Sequence, residues 1–168
     1  MKRDNAEKRY MEKLFKPEQF TPTSCYTAQD KADFANWFVS FCEAGFPEKM
    51  FAERCYNMLR DCFHHIAHYS RNGFYGEWFS DEEKKLAFLK HTAECQLYGS
   101  DPKYTFIDVE RVLQQWVRES GLIEVYERKV NSLKREKELH ALKVLIDRYP
   151  LEAKEMLRKL ENPEGEVW

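Results

Sequence analysis

Long apolar runs are missing from this chain, and so is an excess of charge of either sign. No stretch approaches the roughly 20 apolar residues that a helical bilayer span needs, so no membrane association is expected. Lysine and arginine number 27 against 29 aspartates and glutamates, a net charge of −2. A generic grip on nucleic acid or anionic lipid needs a basic excess or a basic cluster, so neither partner is expected. There is no CxxC pair. The five cysteines, an odd number, stand apart at Cys25, Cys42, Cys55, Cys62 and Cys95. This is not a disulfide framework; small buried thiols in a reducing compartment fit better. The opening MKRDNAEKRYMEKLF is charged and lacks the apolar core of a signal peptide, so the expected location is cytoplasmic. Also absent are strand-like alternation, internal repeats, low-complexity tracts, GxSxG and HExxH.

What remains is a chain of 168 residues, a length that suits one domain with a real core. Hydrophobic residues make up 43% and charged residues 33%, a globular balance rather than a disordered one. Aromatics reach 15%, so they either fill a core or form a recognition surface.

Helical spacing organises almost the whole sequence. Residues 4–15 can form a short amphipathic helix, followed by an extended connector held by Pro17 and Pro22. Thr27 and Asp30 make a capping box ahead of Phe34, Trp37, Phe38, Phe41 and Cys42, and Gly45 stops that helix. A second helix is expected from Pro47 to about Ser70, with Phe51, Cys55, Met58, Leu59, Cys62 and Ile66 inward. Ser80 and Glu83 form a capping box for Leu86, Leu89, Ala93 and Leu97, with Gly99 as the stop. Thr105 and Asp108 restart a helix carrying Val109, Val112, Leu113, Trp116 and Val117, which ends at Gly121.

Segment 122–148 is heavily charged. Its first half aligns Leu122, Ile123, Tyr126, Val130 and Leu133. Its second half aligns Leu139, Leu142, Ile146 and Tyr149 about 160° away on the same wheel. Such a helix either bends near Lys134–Glu138 or serves two packing partners. Pro150 then opens a last short helix. The expected fold is all-α, a single helical bundle-like domain of six or seven helices. Its parts are an N-terminal arm (1–26), a helical core (27–121) and charged C-terminal helices (122–168) packed on the core or on a partner.

The chemistry gathers between Tyr56 and Phe79. On a helix, Asp61, His64 and His68 share a polar face, close enough to chelate one divalent ion. The alternative is a solvated face near a helix end. No Glu-x-x-His partner motif accompanies them. Cys62 lies near histidines but on the apolar stripe, where a thiol is inert, so no catalytic residue is assigned. Asn72-Gly73 is expected to end the helix and open an aromatic loop. There Arg71, Phe74, Tyr75 and Trp78 either anchor a protein partner or fold back as a core plug. Tyr69, Arg71 and Tyr75 can also stack on single-stranded nucleic acid, although Asp81, Glu82 and Glu83 oppose phosphate there.

The expected function is that of a helical binding protein without a cofactor, not an enzyme. It acts through a protein partner or self-association as a homo-oligomer. The alternatives are a metal-binding protein or metal-dependent enzyme built on Asp61, His64 and His68, and a single-stranded nucleic-acid accessory factor.

Overall fold

The computed structural model describes residues 13–65 and 69–162. Among these residues every regular element is helical, and there is no strand. Seven α-helices follow one another: α1 (Ala28–Glu43), α2 (Glu53–Arg60), α3 (Arg71–Phe79), α4 (Glu82–Glu94), α5 (Ile107–Glu119), α6 (Leu122–Arg148) and α7 (Pro150–Glu161). Single 3-10 turns occupy Pro17–Gln19 and Glu48–Met50. The chain divides into two compact units, one reaching Glu127 and the other beginning at Arg128. The expected helix over 4–15 lies mostly outside the described residues.

Helix starts follow side-chain chemistry, with two shifts from the sequence reading. The Thr27 hydroxyl accepts from the Asp30 amide at 3.0 Å, and Asp30 accepts from the Thr27 amide at 2.9 Å, which is the expected box. Asp81, rather than Ser80, caps α4 by accepting from the Lys84 amide at 2.9 Å. Asp108 forms no box with Thr105, because its carboxylate is committed to Lys31. At the end of α1, Gly45 takes φ +84°, a backbone region that favours glycine, and lets the chain reverse. α4 ends at Glu94, several residues before the expected stop at Gly99.

The core of the first unit is aromatic. Phe38, Phe41, Phe46, Phe51, Phe63, Phe74 and Phe88 have no exposed surface. Phe41 lies 5.5 Å from Phe51 in a stacked pair and 5.1 Å from Phe79 edge-on. Phe46 stacks on Phe79 at 5.1 Å. These stacked and edge-to-face arrangements are the ones that ring quadrupoles favour. Trp37 stacks on Phe41 at 4.9 Å and donates its indole N–H to the Met50 carbonyl at 2.8 Å. The stripe on α1 thus meets the segment around Phe51 and α2 as the sequence implied.

One cation sits inside this core. Lys31 has no exposed surface. Its ammonium donates to the Asp108 carboxylate at 2.9 Å, the Pro102 carbonyl at 2.9 Å and the Thr105 carbonyl at 3.1 Å. It also lies 5.6 Å from the centre of the Phe106 ring. Asp108 in turn accepts from the Thr21 amide at 2.9 Å. All three ammonium protons therefore have acceptors, which is what makes such burial tolerable. Lys31→Ala should cost about 3–5 kcal/mol in urea unfolding, since it strands the Asp108 carboxylate. Lys31→Ala with Asp108→Asn should cost less than the sum of the single variants.

Candidate functional site

The helix expected to run to Ser70 ends at Arg60 instead. Asp61 is its C-cap, and Phe63 and His64 both take left-handed backbone, with φ +56° and +54°. Two such non-glycine residues in succession are strained. The cause is packing. The Phe63 ring enters the core 6.0 Å from Phe38, and His65 enters it too, while His64 between them faces out. A continuous helix cannot bury 63 and 65 and expose 64 in this way. The common helical face proposed for Asp61, His64 and His68 is therefore not formed by one helix. Asp61 and His64 still come together, at a cleft; His68 and Ile66 lie outside the described residues.

That cleft encloses about 410 Å³. Thr23–Tyr26 form one wall, Asp61 and His64 a second, and Gly99 with Lys103–Phe106 a third, while Glu110 of α5 also lines it. The first wall is a turn in which the Thr23 hydroxyl accepts from the Tyr26 amide at 3.0 Å and the Cys25 amide at 3.2 Å. The third wall is pinned from behind by Lys31 through the Pro102 and Thr105 carbonyls. At Gly99 a Cβ would stand 3.0 Å from Ile107 Cβ, tighter than ordinary packing, so the glycine lets the loop lie close to α5. The His64 ring meets Tyr98 edge-on at 4.9 Å. Burial raises the Glu110 carboxyl above its ordinary range, opposed by the nearby His64 imidazole and the Phe63 amide. An imidazole beside a carboxyl group that holds its proton more tightly than usual can exchange protons with a small polar ligand. Glu110 was not singled out by sequence, because it reads as an ordinary polar position on an amphipathic helix. Among the described residues, no three histidine, cysteine, aspartate or glutamate side chains are placed to hold one ion.

Residues 71–79 are a helix, not the expected loop. The Ser70 hydroxyl accepts from the Gly73 amide at 3.1 Å, so Asn72-Gly73 lies in the first turn of α3 rather than after the last turn of α2. Phe74 is completely buried. Tyr75 donates its hydroxyl to the Phe46 carbonyl at 2.7 Å. Trp78 packs on Phe88 at 5.9 Å and on His91 at 5.8 Å. Arg71 donates to the Phe51 carbonyl at 2.7 Å and to the Asn72 side chain at 2.6 Å. All four residues named for partner binding thus make contacts within their own unit, and Arg71, Tyr75 and Trp78 keep part of their surface in solvent.

His65 is the unusual group of this core. Its ring stacks on Phe88 at 5.3 Å, with Phe74 and Trp78 edge-on at 5.4 and 5.2 Å and His91 at 4.9 Å. Neither ring nitrogen has a hydrogen-bond partner among the described residues. His91 is oriented by its Nε2, 2.7 Å from the Phe63 carbonyl.

The second unit offers a different kind of surface. From residue 131 to residue 162 every side chain is exposed except the half-buried Ala153. Eleven large hydrophobic residues lie among them, including Leu139, Leu142, Leu145, Ile146, Leu157 and Leu160. α6 runs unbroken through the point where its two apolar stripes change sides. Tyr126 of the first stripe is buried against Phe46 at 5.8 Å. The second stripe is uncovered.

No protein-family model, curated protein or solved structure matches this chain.

Burial, with a smaller effect from His91 and His64, pushes the His65 imidazole from 6.5 down to about 3. The unfolded chain therefore takes up a proton that the folded chain refuses. This group's contribution to stability is complete above pH 6.5 and is lost as pH falls toward about 3. The loss is on the order of 5 kcal/mol in all. His65→Phe keeps a ring on Phe88 and removes the ionisable nitrogens. In urea unfolding at a series of pH values, its stability advantage over the parent should widen steadily below pH 6.5.

Proposed function

We propose that this chain is a helical interaction protein whose contact surface is the apolar flank of the second half of α6 and of α7. The observation that carries this reading is the exposure of eleven large hydrophobic side chains over residues 133–160. Soluble proteins rarely leave a contiguous apolar surface of this kind uncovered unless it meets something. The helices are also too poor in internal contacts to be kept by their own packing. α7 has 12 residues and no buried side chain, and an isolated helix of that length is marginal in water. A partner supplies the missing packing energy.

Arg71, Phe74, Tyr75 and Trp78 enter this reading as a support rather than as the contact surface. Their hydrogen bonds and ring contacts are spent on Phe46, Phe51, Asn72, Phe88 and His91. Phe74→Ala should cost about 3–5 kcal/mol of stability, as a buried aromatic truncation does.

The test of the surface is Leu142→Glu with Ile146→Glu in the full chain. Hydrogen exchange of the parent should be protected over 136–161 only when a partner molecule or a second copy is present. The double variant should lose that protection while the first unit keeps its melting transition. Protection of 136–161 in a parent that is monomeric and alone would show the flank to be covered from within, and would overturn the reading.

A further inference from the structure

We infer that the partner of this flank is a second copy of the same chain, paired in parallel through residues 139–160. This rests on the surface reading above and adds the occupant and the register. The key is a spacing. Leu139, Leu142, Ile146, Tyr149, Ala153, Met156 and Leu160 follow one another at intervals of 3, 4, 3, 4, 3 and 4. That is the alternation of the a and d positions of a heptad, held over three repeats with every position apolar. Six of the seven side chains are exposed, and Ala153 is half-buried. A pattern that serves packing inside one chain would be covered by that chain; this one is not.

Charge supplies the choice of occupant. In this register Glu138 falls at a g position and Lys143 at the following e position. In a parallel, in-register pair, g of one helix faces the next e of the other. Glu138 of each copy then meets Lys143 of the other, and the contact occurs twice by symmetry. Both side chains are exposed, and neither has a salt bridge among the described residues. Of the e and g positions that follow, Leu145, Pro150 and Leu157 are apolar and widen the seam, while Glu152 and Lys159 at g face no acidic or basic e position of the pair within 139–160.

The backbone sets a limit on the pairing. Tyr149 leaves helical geometry, with φ −129° and ψ 63°, and Pro150 starts α7. The seam is therefore two short segments, 139–146 and 153–160, joined at a bend. Neither segment is long enough to hold a pair alone, and together they make a modest, reversible dimer.

The closing experiment combines mass, charge exchange and cross-linking on the full chain. Sedimentation should give twice the 20.2 kDa chain mass at high concentration and dissociation on dilution. Glu138→Lys and Lys143→Glu should each raise the dimer dissociation constant about tenfold, by replacing two attractions with two repulsions. The double exchange should restore it. In a Cys25→Ser background, Leu142→Cys should form an interchain disulfide on mild oxidation, because d positions face each other only in the parallel register.

A dimer that ignores both charge variants and fails to cross-link overturns the register. A chain that stays monomeric at all concentrations overturns the second copy. If that monomer binds anilinonaphthalene sulfonate, and Leu142→Glu with Ile146→Glu abolishes the binding, the flank is open and the surface reading survives with another protein as occupant. If the monomer instead co-sediments with phosphatidylserine vesicles, the occupant is a lipid surface. A monomer that binds neither, with 136–161 protected from exchange, removes both proposals.

Discussion

The Lys31 ammonium is the contact on which the first unit depends. It stands on α1, and its three protons go to the carboxylate at the start of α5 and to two carbonyls of the loop before it. Through Asp108 it also holds the backbone of Thr21. Three stretches, around Thr21, Lys31 and 102–108, are thereby fixed to one charge. Rings alone would leave their relative positions soft, because hydrophobic packing tolerates sliding and rotamer exchange better than a buried charge tolerates a missing acceptor. The cleft owes its shape to this arrangement. The wall that carries Tyr104 and Phe106 hangs from the two carbonyls, and the wall that carries Cys25 and Tyr26 follows Thr21.

Around that point the fold divides its labour between two kinds of apolar surface. In the first unit, phenylalanines are spent on one another, and the few polar groups among them are bonded, with His65 as the exception. In the second unit, leucine and isoleucine are placed on a helix flank and left uncovered. A composition of 43% hydrophobic residues conceals this split, because the same residue types serve both ends. The average hides where the apolar area goes, and that distribution is what separates a core from a contact surface.

Much of this was legible in the sequence, and the failures share a cause. The all-helical class, the box at Thr27, the stops at Gly45 and Gly121 and the reversal of stripes in 122–148 could all be read from spacing and local hydrogen-bond chemistry. The end of α2 could not. Cys62, Phe63 and His65 fit a helical window well enough to hide a turn, because the decision to bury Phe63 and His65 together is made by rings on α1, α3 and α4. The same blindness turned α3 into a loop: Asn72-Gly73 ends helices more often than it begins them, and only the Ser70 cap distinguishes the cases. Asp61 and His64 were found for the wrong geometric reason, as neighbours on a helix, yet the turn that replaced the helix brings both to one cleft. Glu110 was out of reach, since nothing local marks a glutamate whose value lies in what folds over it.

The turn Thr23–Tyr26 has a practical meaning for chemistry. Cys25 is the one exposed thiol among the five, and it lines the cleft with Asp61 and His64. Cys42 and Cys62 are sealed in the core, while burial raises the half-buried Cys55 and Cys95 and so dulls them as nucleophiles. The protein thus carries a single natural attachment point at the mouth of this polar cleft. Disulfide-bearing fragments captured reversibly at Cys25 would sample the space over Glu110 one molecule at a time. Whichever fragments are retained would describe, in their own functional groups, the chemistry that the walls of the cleft favour.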